Sequence, residues 1–106
     1  MQQPGQEEIR MQVDPITCAD VMNLGLPMFI VAYASGVVRL FLCETGQKVC
    51  EIGAHSRQIN ALVTHPTRTV FVTAGDDTFV NVWEITGATL ERLDINILTS
   101  SIVNDY

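Results

Sequence analysis

Residues 54–86 read AHSRQINALVTHPTRTVFVTAGDDTFVNVWEIT, and the fold can be inferred from this stretch. It consists of short apolar runs rich in β-branched side chains, separated by turn-forming residues. Across the chain, Val, Ile and Thr supply 31 of 106 residues, a composition that suits pleated strands. Turn-forming residues recur roughly every eight to twelve positions, and no window shows the 3.6-residue apolar period of a helix. The sequence therefore predicts an all-β protein built from many short strands.

The same pattern predicts ten short strands along the chain. Their approximate ranges are 9–13, 16–22, 28–34, 37–42, 48–52, 58–64, 69–74, 79–85, 89–94 and 97–103. Two of them, FIVAYA at 29–34 and VVRLFL at 37–42, are almost continuously apolar. Such runs indicate strands that are buried on both faces. In an antiparallel protein this requires sheets stacked on other sheets.

The chain contains an internal repeat. FIVAYASGVVRLFL, residues 29–42, aligns with VFVTAGDDTFVNVWEI in the stretch quoted above. Ile30 aligns with Phe71, 41 residues later, and Phe41 aligns with Trp83, 42 residues later. The alignment predicts one extra residue in the turn of the second copy. A period of 41–42 residues that holds four strands is typical of propeller blades.

Residues 54–86 resemble a WD repeat, because residue types of that family occur at matching positions. These are a pair like Gly-His, a His-Pro turn, a late hydroxyl, a turn aspartate and a tryptophan: Ala54-His55, His65-Pro66, Thr73, Asp77 and Trp83. Ala54 in place of Gly and Glu84 in place of Asp depart from the family pattern. The resemblance extends over roughly residues 16–94. It implies two consecutive four-stranded antiparallel blades, a partial β-propeller, with extra strands at each terminus.

The resemblance also implies a division of the chain. Residues 1–8 are expected to be a flexible lead-in, and 9–15 a strand of a preceding blade. Residues 16–53 form a degenerate blade, and 54–94 form the blade with the family's polar residues. Residues 95–106 are expected to begin a following blade. Two blades cannot close a ring, and their uncovered faces are predicted to be apolar. Homo-oligomerisation through exposed faces and edges, or completion by the remainder of a longer propeller, is therefore expected.

Four polar side chains of the second blade are expected to satisfy one another under the cover of neighbouring blades: His55, Thr73, Asp77 and Trp83. The aspartate accepts from the histidine, which contacts the hydroxyl, and the hydroxyl accepts from the indole N–H. Removing Asp77 should cost about 1–3 kcal/mol, because its partners would remain buried and unpaired. The first blade has Ala34-Ser35-Gly36 at the turn and Phe41 in place of Trp. It is expected to rely on apolar packing and to be the weaker blade.

Loops at the blade rims suggest a non-catalytic scaffold that binds a protein or peptide partner. Arg57, Gln58 and Asp76 are candidate contacts, because such positions line the top of the propeller in the resembled family. No catalytic residue, metal site or cofactor is expected. An alternative hypothesis is a small metal-dependent hydrolase that uses His55, His65 and Asp76. A third is a purely structural segment that completes a longer propeller.

Composition restricts the location and the partners. Twelve acidic and six basic residues leave a net charge of −6, which disfavours nucleic acid. The longest apolar stretch, residues 26–34, is too short to span a membrane, and the N-terminus has no secretory signal pattern. Three cysteines without a CxxC pair suggest buried thiols rather than disulfides. A cytoplasmic protein with neither nucleic-acid nor membrane partners is expected.

Overall fold

The computed structural model of the chain describes residues 13–23, 25–87 and 93–103. Every regular element in these ranges is a strand, which confirms the all-β prediction. The strands are β1 (Ile16–Asn23), β2 (Pro27–Tyr33), β3 (Val37–Leu42), β4 (Lys48–Gly53), β5 (Ile59–Thr64), β6 (Val70–Gly75), β7 (Phe79–Thr86) and β8 (Asp94–Ile102). They form two antiparallel sheets, in the orders β1-β2-β3-β4 and β5-β6-β7-β8. The predicted pair of four-stranded antiparallel sheets is thus confirmed.

The hydrophobic core lies between the two sheets. The first sheet contributes mainly aliphatic side chains, among them Ile30, Val38 and Leu40, which are fully buried. The second sheet contributes Phe71 and Trp83, whose rings stack with centroids 6.5 Å apart. The edge strands are β1 and β4 in the first sheet and β5 and β8 in the second, and β1 packs against β5. The two sheets therefore meet closely along their first strands.

The central hairpins of the two sheets repeat at a constant spacing. Phe29 pairs with Phe41 in the first sheet, and Phe71 pairs with Trp83 in the second, so each residue is 42 positions from its counterpart. The counterpart of Phe71 is therefore Phe29 rather than Ile30, and the extra turn residue predicted for the second copy is wrong. Nearly every position of β2 is apolar, so its sequence pattern does not specify the register.

In each sheet, the turn of the central hairpin accepts backbone hydrogen bonds from the residues that directly follow the fourth strand. Gly36 has a positive φ of 91°, and its carbonyl accepts from the N–H groups of Ala54 and His55 at 2.9 and 3.0 Å. Thr78 has a φ of 71°, and its carbonyl accepts from the N–H of Val103 at 2.8 Å. The first of these links joins the two sheets directly, because Ala54 and His55 lead into β5.

The C-terminal strand belongs to the second sheet. β8 pairs with β7 from Asp94, opposite Thr86, to Ile102, opposite Phe79. The prediction that residues 95–106 open a following blade is therefore wrong. β8 begins at Asp94, three residues before the strand expected at 97–103. Pairing with β7 satisfies backbone groups that would otherwise lack partners.

The remaining expectations fall partly outside the described residues. Residues 1–8 lie outside them, as do 9–12 of the strand expected at 9–15 and 89–92 of the strand expected at 89–94. The described part of the first of these strands, residues 13–15, is not in a strand. No helix in the described ranges is long and apolar enough to cross a membrane.

Candidate functional site

The structure brings together the four polar side chains of the second sheet. His55 lies just before β5, Thr73 in β6, Asp77 in the turn after β6, and Trp83 in β7. His55 Nδ1 lies 2.9 and 3.0 Å from the two carboxylate oxygens of Asp77, and its Nε2 lies 2.7 Å from Thr73 Oγ1. Trp83 Nε1 donates to the same hydroxyl at 2.9 Å. One continuous chain of hydrogen bonds therefore runs from the turn into the core.

Each polar hydrogen in this series of hydrogen-bonded side chains has one acceptor. The Thr73 hydroxyl accepts from Trp83 and donates to His55 Nε2, and His55 Nδ1–H then donates to Asp77; we assign the protons from this pattern. His55, Thr73 and Trp83 are all buried, and Thr73 has no exposed surface. No buried side-chain nitrogen or oxygen in the described ranges lacks a partner. The four side chains thus form a closed, satisfied network.

Asp77 anchors the network to the backbone of the surrounding loops. Its carboxylate accepts from the N–H groups of Ser56 and Phe79 at 3.1 and 3.2 Å. Burial raises the pKa of Asp77, but hydrogen bonds from His55 and from these two amides outweigh burial, so the net pKa is lowered. A side chain at Gly75 would interfere, because a Cβ there would lie 2.9 Å from His55 Nδ1.

Sequence reasoning missed a second buried polar group beside this network. The Asn81 side chain donates to the Ala54 carbonyl at 3.1 Å and accepts from the Ser100 hydroxyl at 2.5 Å. Asn81 therefore links β7 to the segment that joins the sheets. Its position two residues before Trp83 placed it on the same strand face, which was the available signal.

The first sheet lacks the network and uses a simpler contact. Val31, Ser35 and Phe41 stand where the second sheet has its threonine, aspartate and tryptophan. The Asp14 carboxylate accepts from the Ser35 N–H at 3.0 Å and from the Ser35 hydroxyl at 2.6 Å. The carboxylate thus lies before the first strand rather than in the turn, an arrangement that sequence reasoning did not anticipate.

A polar contact also joins β1 to β5. The Asp20 carboxylate accepts from the N–H and the hydroxyl of Thr64, at 3.2 and 2.8 Å. The pKa of Asp20 is lowered, chiefly by the hydrogen bond from the Thr64 hydroxyl. Neither residue stood out in the sequence, because their 44-residue separation gives no local signal.

The candidate partner contacts gather at one edge of the second sheet. Arg57, Gln58 and Asp76 are all exposed there. The Asp76 N–H donates to the Gln58 carbonyl at 2.9 Å, and the Asp76 carboxylate accepts from Asn60 Nδ2. Gln58 Nε2 donates to Asn60 Oδ1 at 3.4 Å. We call Arg57, Gln58, Asn60 and Asp76 the rim cluster; Asn60 is the member that sequence reasoning missed.

The residues of the alternative hydrolase hypothesis do not converge. His65 follows β5, whereas His55 and Asp76 lie near the opposite end of that strand, roughly 17 Å away at the usual rise per residue. His65 Nδ1 accepts from the N–H groups of Thr67 and Arg68, at 3.0 Å each, and so stabilises its own turn. Within the described part of the chain, no three His, Cys, Asp or Glu side chains cluster as metal ligands do.

The WDR54 family model matches residues 9–97. The chain belongs to the WDR54 family. The predicted resemblance to WD repeats is thereby confirmed. Such propellers generally serve as non-enzymatic scaffolds for protein partners.

Curated relatives share part of this WDR54-family chain. WD repeat-containing protein 54 of Mus musculus is 40% identical over 53 residues, which are 50% of this chain and 16% of the mouse protein. The Homo sapiens protein is 38% identical over the same length and share. The match thus spans about one sixth of these relatives.

A solved structure shows the fold of the WDR54-family chain. The Cps50 (Swd1) β-propeller domain of Myceliophteria thermophila superposes with a TM-score of 0.79 at 9% identity. The match covers 96% of this chain and 32% of that domain. At this identity the likeness establishes a β-propeller arrangement of the two sheets and nothing further.

Proposed function

We propose that this chain supplies two blades of a WD-repeat propeller and presents the rim cluster to a protein or peptide partner. The observation that carries the proposal is the position of the rim cluster directly above the buried network. Asp76 is adjacent to Asp77, and the loop with Arg57 and Gln58 follows His55. Exposed loops held by a rigid scaffold are suited to binding, because little conformational entropy is lost on contact.

The chemistry of the rim cluster suits a polar protein surface. Arg57 offers a planar cationic group, Asp76 a carboxylate, and Gln58 and Asn60 amides. Arg57 forms no ion pair with any described residue, so its charge is available to a partner. The hydrogen bonds from Asn60 and to Gln58 limit the orientations of Asp76. Such preorganisation favours affinity, because fewer side-chain rotamers are lost on binding.

Site-specific photo-crosslinking in cells tests this function. A photoreactive amino acid is placed in the full chain at Arg57 or at Asp76, and at Arg68 on the opposite edge as the matched control. We expect the same discrete protein adduct from both rim positions and none from the control. Loss of that adduct in an Arg57→Ala/Gln58→Ala/Asp76→Ala variant would tie it to the side chains. Equal adducts from Arg68, or none from the rim, would instead support a purely structural role.

The outer faces of the two sheets are proposed to be covered, either by further copies of the chain or by the remainder of a longer propeller. Val21 and Phe29 are exposed on the outer face of the first sheet, and Val63 on that of the second. Apolar patches of this kind mark interaction sites. Sedimentation of the chain at micromolar concentration tests the first possibility. A stable soluble monomer would contradict self-association.

A cytoplasmic location, without nucleic-acid or membrane partners, completes the proposal. Its support is the net charge of −6 and the three free thiols of Cys18, Cys43 and Cys50. Fractionation of cells that express the tagged chain should recover it with cytosolic markers. Recovery with nuclei or membranes would contradict this part of the proposal.

A further inference from the structure

The outer strand of the second sheet has one edge that no described strand pairs with, although β4 of the first sheet contacts β8. β8 is nine residues long and pairs only with β7 among the described strands. Ten large hydrophobic side chains are exposed in the described ranges, and four of them lie in or directly after β8: Ile97, Leu98, Ile102 and Val103. Exposed edges of this kind pair readily with another strand, because their outward N–H and C=O groups lack partners.

β8 also lacks the charges that usually protect an edge. Residues 95–103 read INILTSSIV, without a charged residue or a proline. A β-bulge interrupts the pairing with β7 between Val82 and Trp83, but the residue it adds to β8 is Leu98, which is 52% exposed. The bulge therefore displays an apolar side chain where protected edges place a charge.

The corresponding strand of the first sheet provides an internal comparison. β4 is only six residues long and carries Lys48 and Glu51, which form an ion pair of 3.1 Å. Glu51 also binds Arg39 at 2.6 Å. Two edges in the same position of their sheets thus differ in length and charge, and the shorter β4 edge carries the opposite charges that discourage pairing.

We propose that β8 is a self-pairing edge, at which a second copy of this chain adds its own β8 as an antiparallel neighbour. The two sheets would join across a two-fold axis into one eight-stranded sheet. A second β8 is a matched occupant, because after Asp94 it is uncharged and rich in β-branched residues. A pair about a two-fold axis uses the β8 edge of both copies, so the assembly closes as a dimer.

Charge placement favours the antiparallel arrangement. Asp94 is the only charged residue of β8 and lies at its start. In an antiparallel pair each Asp94 lies near the uncharged end of the other strand, around Ile102. A parallel pair would place the two carboxylates side by side, which is destabilising.

The β8–β8 pairing rests on the proposed self-association and specifies where it occurs. It does not depend on the rim cluster. β8 lies at the edge of its sheet, whereas Val63 lies on the outer face. Blades stacked on the faces would leave the β8 edge free. Failure of edge pairing therefore leaves both the rim function and face-to-face association intact, and the tests distinguish them.

Sedimentation of the 106-residue chain, compared with two variants, tests the proposal. Wild type is expected to form a dimer of the 11.7 kDa chain. Leu98→Lys/Ile102→Lys is expected to weaken dimerisation by about tenfold or more, because like charges would face each other across the axis. Val63→Lys, an equally exposed apolar position on the outer face, is the matched control and should dimerise as wild type does.

Hydrogen exchange of the wild-type chain supplies a measurement that requires no variant. Amides of residues 95–103 should gain protection as the concentration rises, whereas those of 48–53 should not. The proposal would be overturned by any of three results. These are a monomeric wild type, an edge variant that dimerises normally, and loss of the dimer in Val63→Lys alone. If the edge variant does not fold, the exchange pattern decides: concentration-dependent protection confined to 95–103 supports it, and any other pattern overturns it.

Discussion

The indole N–H of Trp83 donates to the hydroxyl of Thr73 at 2.9 Å, inside the space between the two sheets. Because the same hydroxyl contacts His55, which in turn binds Asp77, this bond is the inner end of a path from the core to the rim. A turn that carries a candidate partner contact is thereby tied to buried side chains. Four consequences of this and the neighbouring contacts can be measured.

Thr73→Val should destabilise the chain although it preserves shape. The substitution leaves the Trp83 N–H and His55 Nε2 buried without their common partner, at a cost of about 1–3 kcal/mol in the free energy of unfolding. Urea titration followed by Trp83 fluorescence measures the change. Thr69→Val, at an exposed loop position, is the control and should change stability by less than about 0.5 kcal/mol. Equal effects of the two substitutions would contradict a stabilising role for the network.

Asp77→Asn should make stability less sensitive to acid. Because the pKa of Asp77 is lowered in the folded chain, its carboxylate stabilises the fold above the ordinary carboxyl pKa of 3.8, and this contribution disappears as pH falls through the folded pKa. The variant should therefore be less stable than wild type at pH 7, and the difference should shrink below pH 3.8. Thermal unfolding across pH measures this, with Asp76→Asn as the exposed neighbouring control. A difference independent of pH would contradict the assignment.

Gly36→Ala should disrupt the connection between the sheets. A Cβ at Gly36 would lie 2.0 Å from the backbone carbonyl oxygen of His55, and its φ of 91° is also unfavourable for alanine. We expect a loss of at least about 2 kcal/mol in the free energy of unfolding. Gly46→Ala separates the two causes, because Gly46 has a φ of 72° but open space around it. Similar losses in both variants would mean that backbone strain alone is responsible.

Thr64→Val should raise the pKa of Asp20 towards its ordinary value. The Thr64 hydroxyl is the main cause of the lowered pKa, and the Thr64 N–H at 3.2 Å would remain. NMR titration of the Asp20 carboxyl measures the shift, with Thr69→Val as a control that should leave it unchanged. Since the ionised carboxylate joins β1 to β5, the variant should also lose stability above pH 3.8 relative to wild type. An unchanged pKa would show that Asp20 is held by other contacts.

Much of the network was visible in the sequence because its members sit at family-typical spacings around one hairpin. Their mutual distances depend mainly on the β6–β7 turn and the approach of His55, which are local features. Asp20 and Thr64 gave no such signal, and the one signal for Asn81 was its place two residues before Trp83 on the same strand face. Asp20 and Thr64 meet only because two sheets stack, and Asn81 was hidden among apolar neighbours on its strand.

The amino-acid pattern established the strands, the turns and the repeat, because pleat periodicity and turn chemistry act over a few residues. It did not establish the pairing register of β2 or the sheet to which β8 belongs. Continuous apolar runs pack acceptably in more than one register, and a strand that follows a long connection has several possible neighbours. Those choices were settled by contacts between distant residues: backbone pairing along β7, the stacking of Phe71 on Trp83, and the close approach of Gly36 to the entry of β5.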